Sequence, residues 1–187
     1  LIGYLVGPPG AGKYTVGKLV AARLAAELLD NHFWANPIFE VVEPDGRPLP
    51  AGVWDRVNHV LSAVLETVAL FGPAHRNYVF THAVSDPGGH PIDWVMAGQI
   101  LWAAERRRAR LLVVRLACGE AQLRARISTD ERRLRFKTTD AEQAPSLASL
   151  APFPINHDWV LDLDTSDLRA ADTADRILEE LKAGLQT

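Results

Sequence analysis

The sequence predicts an α/β protein in which a parallel sheet of about five strands is covered by helices on both faces. Three observations predict it. Short apolar runs alternate with amphipathic helical stretches along the whole chain. The runs are continuously apolar rather than alternating, as in strands buried on both faces. The first of them meets a strong break, Gly7-Pro8-Pro9-Gly10, and helical spacing follows at once. At 187 residues the chain is one domain, spanning 1–187, and long enough to bury a core. A hydrophobic share of 48% against 23% charged places it among globular rather than disordered chains.

Residues 1–6 read as a buried strand. Val16, Leu19, Val20, Leu24 and Leu28 then recur at helical spacing. Leu28, Leu29 and Asp30 suggest a very short second strand. Asn36-Pro37 marks the start of a short helix through Val42. Residues 43–52, with three prolines and two glycines, read as an exposed loop. Val53, Val57, Leu61, Leu65 and Val68 mark a long amphipathic helix that Gly72-Pro73 stops. Residues 77–83 read as a buried strand, 85–91 as loop and 93–108 as helix. That helix ends in Arg106-Arg107-Arg108, where positive charge opposes its own dipole. Residues 111–116 form the clearest strand, and 120–127 a short helix. The polar segment 128–154 reads as mobile. A last strand over 159–163 and a helix over 170–185 close the chain. No internal repeat or domain linker is visible.

A net charge of −3 does not suggest a nucleic-acid partner held by bulk electrostatics. The single cysteine, Cys118, cannot form an intrachain disulfide. No apolar run is long enough to span a bilayer, and no signal peptide is visible. The expected location is the cytoplasm, with no membrane partner.

Residues 7–13, Gly-Pro-Pro-Gly-Ala-Gly-Lys, fit the pattern G-x-x-x-x-G-K. Such a loop curls so that successive N–H groups point inward at a phosphate. The helix that follows adds its positive N-terminal end. Lys13 brings a full charge to the β- and γ-phosphates. Strand before and helix after complete the context, so the three-layer P-loop nucleotide-binding fold is expected. The cofactor-binding residues are then Gly7, Pro9, Gly10, Ala11, Gly12, Lys13, Tyr14 and Thr15. The pattern places Ser or Thr directly after the lysine, to reach magnesium. Tyr14 stands there, and the hydroxyl comes one place later at Thr15, the candidate metal ligand.

This shift resembles the adenylate-kinase variant of the loop. The chain as a whole is similar to small P-loop kinases of the shikimate-kinase and chloramphenicol-phosphotransferase kind. The resemblance rests on residues 7–15, on Asp30-Asn31-His32, on the arginine-rich stretch 123–137, and on Leu163-Asp164-Thr165-Ser166. Thr81-His82-Ala83 stands where shikimate kinases carry a glycine-rich substrate motif, which argues against shikimate.

The resemblance implies ATP and Mg²⁺ as cofactors, a nucleotide and a small-molecule acceptor as partners, and a small arginine-rich lid over about 124–154. Asp30 would face the acceptor hydroxyl, although Asp also favours helix caps. Arg132 and Arg133 would reach the phosphates, and Arg126 would stack on adenine. Asp164 and Thr165 would flank the base or cap the last helix. Asn31, His32, Arg56 and His82 are candidate acceptor contacts. For each, a structural role competes: a polar turn, a solvated helix charge or a hydrogen-bonded core histidine. Trp34 and Trp54 are candidate pocket walls. The function expected is phosphoryl transfer from ATP to a small-molecule hydroxyl. A nucleoside or nucleotide kinase and an ATP-binding regulatory protein are the alternatives.

Overall fold

The structure, a computed structural model, describes residues 1–44, 49–128 and 139–186. The elements run β1 (Ile2–Gly7), α1 (Lys13–Arg23), β2 (Ala26–Leu29), α2 (His32–Val42), α3 (Val53–Phe71) and β3 (Asn77–Ala83). Then follow α4 (Pro91–Arg106), β4 (Leu111–Ala117), α5 (Glu120–Ile127), a 3-10 turn (Ala141–Gln143), α6 (Ala144–Ala148), β5 (Val160–Asp164) and α7 (Ala170–Gln186). All pairings in the sheet are parallel, in the order β2-β3-β1-β4-β5. The α/β, three-layer fold of the sequence reading is the one observed.

The continuous apolar runs explain the layers. Successive residues of β1 alternate between two cores: Ile2, Tyr4 and Val6 face one, and Leu5 faces the other. The first core is completed by α2, α3 and α4, with Trp34, Leu61, Leu65 and Ile100 almost wholly buried. The second is completed by α1, α5, α6 and α7 through Val16, Leu123, Ile127 and Ile177. Each such aliphatic side chain contributes on the order of 2 kcal/mol on leaving water. β1 lies at the centre, so its carboxyl end opens between β3 and β4, where ligands bind in open parallel sheets.

Several boundaries differ from the sequence reading, each for a local reason. α2 begins at His32, not at Asn36-Pro37, because Asp30 starts it: the carbonyl of Asp30 accepts from Phe33 N at 2.7 Å. Pro37 sits inside this helix. α4 begins at Pro91 behind a capping box, in which Asp93 Oδ2 accepts from His90 N at 2.7 Å. Arg106 lies in the last turn of α4, where it opposes the helix dipole as expected, while the next arginine also serves a neighbour. Arg107 donates to the carbonyls of Val68, Gly72 and Pro73, closing the end of α3, and lies 5.0 Å above the Tyr78 ring. The segment 128–154 is not uniformly the mobile stretch expected. Ala144 and Leu147 of α6 are buried with Leu123 and Ile127, which fixes that part against α5.

Candidate active site

Residues 7–13 fold into the phosphate-loop shape their composition dictates. A Cβ on Gly7 would stand 2.2 Å from the Leu116 carbonyl oxygen, so only glycine lets β1 pass that close to β4. Gly12, with φ at +90°, takes a left-handed turn that opens α1 directly at Lys13. Lys13 is buried, and its ammonium donates to the carbonyls of Gly7 at 2.8 Å and Pro8 at 2.7 Å. The lysine charge is thereby held across the mouth of the loop. Tyr14 is half-buried, and Thr15 is exposed on the first turn of α1.

The back of the loop is tied down by a residue distant in sequence. The Thr165 hydroxyl, 2% exposed, lies 3.2 Å from the Ala11 carbonyl and 3.0 Å from that of Ala117. Arg126 donates to the Thr165 carbonyl at 2.9 Å and to the Cys118 sulfur at 3.3 Å, locking α5 onto the β5–α7 loop. Asp164 Oδ1 accepts from Ser166 N at 2.8 Å and from the Ser166 hydroxyl at 2.5 Å. These bonds hold its carboxyl below the usual range. Asp164 therefore caps a turn, and α7 begins only at Ala170, so the helix-cap alternative for this residue does not hold.

Asp30 directly follows β2, on the same edge of the sheet, and is 9% exposed. Its two oxygens are oriented separately. Oδ1 accepts from His32 N at 3.0 Å and Oδ2 from the Thr81 hydroxyl at 2.8 Å. Asn31 N in turn donates to Thr81 Oγ1 at 3.3 Å. Thr81 itself packs against α1: a Cβ on Gly17 would come within 3.3 Å of its methyl group. The carboxylate is thus positioned through Thr81 against the helix that Lys13 begins, one turn along. The N-cap of α2 is Asn31 rather than Asp30, so the helix-cap alternative for Asp30 does not hold in that form, although its carboxylate accepts from the first helical N–H, that of His32.

His82 has a different setting. The ring is 2% exposed, with Nε2 2.9 Å from Asp93 Oδ1 and Nδ1 2.5 Å from the Tyr4 hydroxyl. A carboxylate only accepts, so Nε2 carries the proton and Nδ1 accepts from Tyr4. Burial lowers the His82 pKa against the pull of Asp93, which keeps the ring neutral. Burial, with Asp93 second, pushes the Tyr4 phenol well above its ordinary value. The three residues form a buried chain joining β1, β3 and the start of α4. His82 has both nitrogens engaged there and lies in the core. Its structural reading is the one this arrangement supports.

Among the other candidates, His32 is half-buried with Nδ1 2.9 Å from Asn36 Oδ1. Arg56 is exposed and lines a shallow groove with Ile38, Val42 and Val53. That groove includes neither Asp30 nor His82. Trp34 is 2% exposed in the core and forms no pocket wall, whereas Trp54 is 43% exposed and meets Phe39 edge-on. Arg132 and Arg133, with Arg135 and Lys137, lie outside the described residues. Sequence reasoning missed Thr81, Tyr4 and Asp93. The capping-box spacing His90-Pro91-x-Asp93 was a usable signal for Asp93. A hydroxyl in the buried run of β3 was a usable signal for Thr81.

No family model matches the sequence, and no curated protein matches it. Solved structures do match its architecture. A gluconokinase from Sinorhizobium meliloti 1021 is 16% identical, with a TM-score of 0.62 over 97% of this chain and 91% of that one. A shikimate kinase from Acinetobacter baumannii, in complex with shikimate, is 22% identical, with a TM-score of 0.60 over 98% and 93%. A tunicamycin resistance protein from Deinococcus radiodurans is 12% identical, with a TM-score of 0.54 over 96% and 94%. The chain has the fold of the small P-loop kinases. Among the described residues no helix is long and apolar enough to cross a membrane.

Proposed function

We propose that this protein is an ATP-dependent kinase that transfers the γ-phosphoryl group to a hydroxyl of a small molecule. One observation carries the reading. A carboxylate, Asp30, is fixed on the same sheet edge as a phosphate loop, through Thr81 and against the helix that begins at the loop lysine.

In this reading the N–H groups of residues 7–13 and Lys13 hold the nucleotide phosphates. Asp30 takes the proton of the acceptor hydroxyl as its oxygen bonds to the γ-phosphorus and the β–γ bridge bond breaks. ADP leaves. The donors fit a magnesium ion carried with the nucleotide, since Mg²⁺ in such sites relies on phosphates and few protein oxygens. Thr15 is the residue that would hold it, and the ion would neutralise phosphate charge. Among the described residues no cluster of three His, Cys, Asp or Glu side chains forms a separate metal site. Arg132 and Arg133 are proposed to close over the phosphates and exclude water. Arg126, Asp164 and Thr165 are proposed to frame the base. Asn31 and His32 would border the acceptor.

The test is ATP consumption with Mg²⁺ across hydroxylated metabolites, aminoglycosides, other antibiotics, nucleosides and nucleoside monophosphates, with Asp30→Asn alongside. One acceptor should raise turnover well above background, and Asp30→Asn should abolish that rise while nucleotide still binds. Nucleotide binding with no acceptor effect, and no change in Asp30→Asn, would favour a regulatory nucleotide-binding protein instead.

A further inference from the structure

The helix α4 is apolar on both of its faces. On the inner face Met96, Ala97, Ile100, Ala103 and Ala104 are buried in the first core. The outer face carries Trp94, Val95 and Trp102, which are 44%, 42% and 41% exposed, around an exposed Gly98. None of the exposed residues from Pro91 to Trp102 is charged. A surface helix normally turns polar residues to water, and a helix that is apolar all round is normally covered.

Gly98 is a residue that this chain's own fold does not require. A Cβ there would meet nothing within 4 Å. Glycine inside an exposed helix destabilises it relative to alanine. What glycine provides is room for another backbone to come close. Trp94 and Trp102 stand one turn to either side of it, so the glycine forms a notch between two aromatic walls. Trp94 is also held rigidly. Its Nε1 donates to the Gly88 carbonyl at 2.9 Å, and its ring centroid lies 4.7 Å from that of Phe153. Fixed tryptophans are the side chains that most often anchor an interface.

The pattern is complementary to itself. A second α4 laid antiparallel across the first, with a two-fold axis at Gly98, brings each Trp94 against Trp102 of the other copy. Val95 then meets the half-buried Leu101. The exposed Glu105, near the C-terminal end of one helix, reaches Pro91 at the N-terminal end of the other. A carboxylate is favoured there by the helix dipole. The same patch serves both copies, as a closed dimer requires. The exposed part of each tryptophan offers roughly 100 Å². With its flanks the stripe offers roughly 400–500 Å² per copy, just under the roughly 600 Å² per partner of the smallest stable interfaces. An area of that size fits a dimer in exchange with its monomer.

We propose that the outer face of α4 is the interface of a two-fold homodimer whose helices cross antiparallel at Gly98. In sedimentation velocity the full chain should pass from monomer to dimer between low micromolar and several hundred micromolar concentration. Gly98→Lys and Trp102→Lys should each raise the dissociation constant at least about tenfold. Leu185→Lys, which replaces an exposed apolar residue on α7, should leave it unchanged. Gly98→Cys treated with copper phenanthroline should give a disulfide-linked dimer, because position 98 meets its own copy at the axis. Val95→Cys, which faces Leu101, should not. A chain that stays monomeric overturns the proposal, and flotation with phosphatidylglycerol vesicles would then assign the stripe to a membrane surface. A dimer indifferent to both lysine variants overturns it too, since the contact would lie elsewhere. Cross-linking of Val95→Cys as strong as that of Gly98→Cys overturns the antiparallel register. Gly98→Lys removes a helical glycine, so loss of the dimer with an unchanged or raised urea midpoint separates a lost contact from lost folding.

Discussion

The two sides of the candidate site are built differently. The loop proposed to hold the phosphates comes from one contiguous stretch, residues 7–15, whose shape follows from glycine positions and from the helix that starts at Lys13. The surroundings of Asp30 come instead from strand pairing: Thr81 of β3 orients its carboxylate, while the next residue, His82, joins Tyr4 of β1 and Asp93 in a buried structural chain, contacts that exist only because β2, β3 and β1 are neighbours in the sheet. A site specified by local backbone survives in the sequence as a motif. A site specified by strand pairing leaves isolated polar residues that could equally be structural.

Substitutions can break this contrast, and the largest effect is expected at Asp30. Asp30→Asn should lower kcat by about 10²–10⁴-fold, the range for a lost general base, with nucleotide affinity retained. Steady-state kinetics with the identified acceptor, beside nucleotide titration, checks it. Lys13→Met should lower kcat by about 10²–10³-fold through lost charge stabilisation and should also weaken nucleotide binding. If both variants lose nucleotide affinity alike, the two sides are not separable as drawn.

Gly7→Ala tests how far the loop depends on β4. Its methyl group would meet the Leu116 carbonyl, so a loss of about 3 kcal/mol in unfolding free energy is expected by urea denaturation. Thr81→Val should leave the fold nearly intact but loosen Asp30. It should cost about 1 kcal/mol in transition-state stabilisation, seen as a few-fold fall in kcat without a matching change in KM.

The buried Tyr4–His82–Asp93 chain predicts a pH effect. The His82 pKa is lowered in the folded state, so between that value and 6.5 the unfolded chain binds more protons. Stability from this residue is fully present above about pH 6.5 and is lost as pH falls towards the folded-state pKa. His82→Gln should flatten the fall in stability as pH drops below about 6.5, measured by urea denaturation. An unchanged slope would mean that other groups dominate. The smallest effect is expected for Arg115→Met. The pair with Asp162 is partly exposed, so about 0.5 kcal/mol or less should be lost.

Much of the fold was legible. The boundaries of α3 and α5, the extent of β3 and the alternation of strand and helix all followed from apolar spacing and from Gly and Pro breaks. What failed did so for tertiary reasons. The start of α2 depends on Asp30, which is not its N-cap yet accepts from the first helical N–H. Arg106 of the run Arg106-Arg107-Arg108 does oppose its own helix dipole, but the sequence did not show that Arg107 closes α3. Such a role is invisible without knowing that the two helices pack together. His82 carried no local sign that Tyr4, 78 residues earlier, would occupy its ring nitrogen.

By itself the sequence determined the class of fold, the glycine-rich loop before α1 and the aspartate that follows β2. Those depend on backbone conformation and on periodicity, which act over a few residues. Tertiary structure alone decided how Asp30 is aimed and which polar residues are structural. Each of these depends on groups brought together by parallel strand pairing, whose partners lie tens of residues apart. No local pattern encodes such a distance.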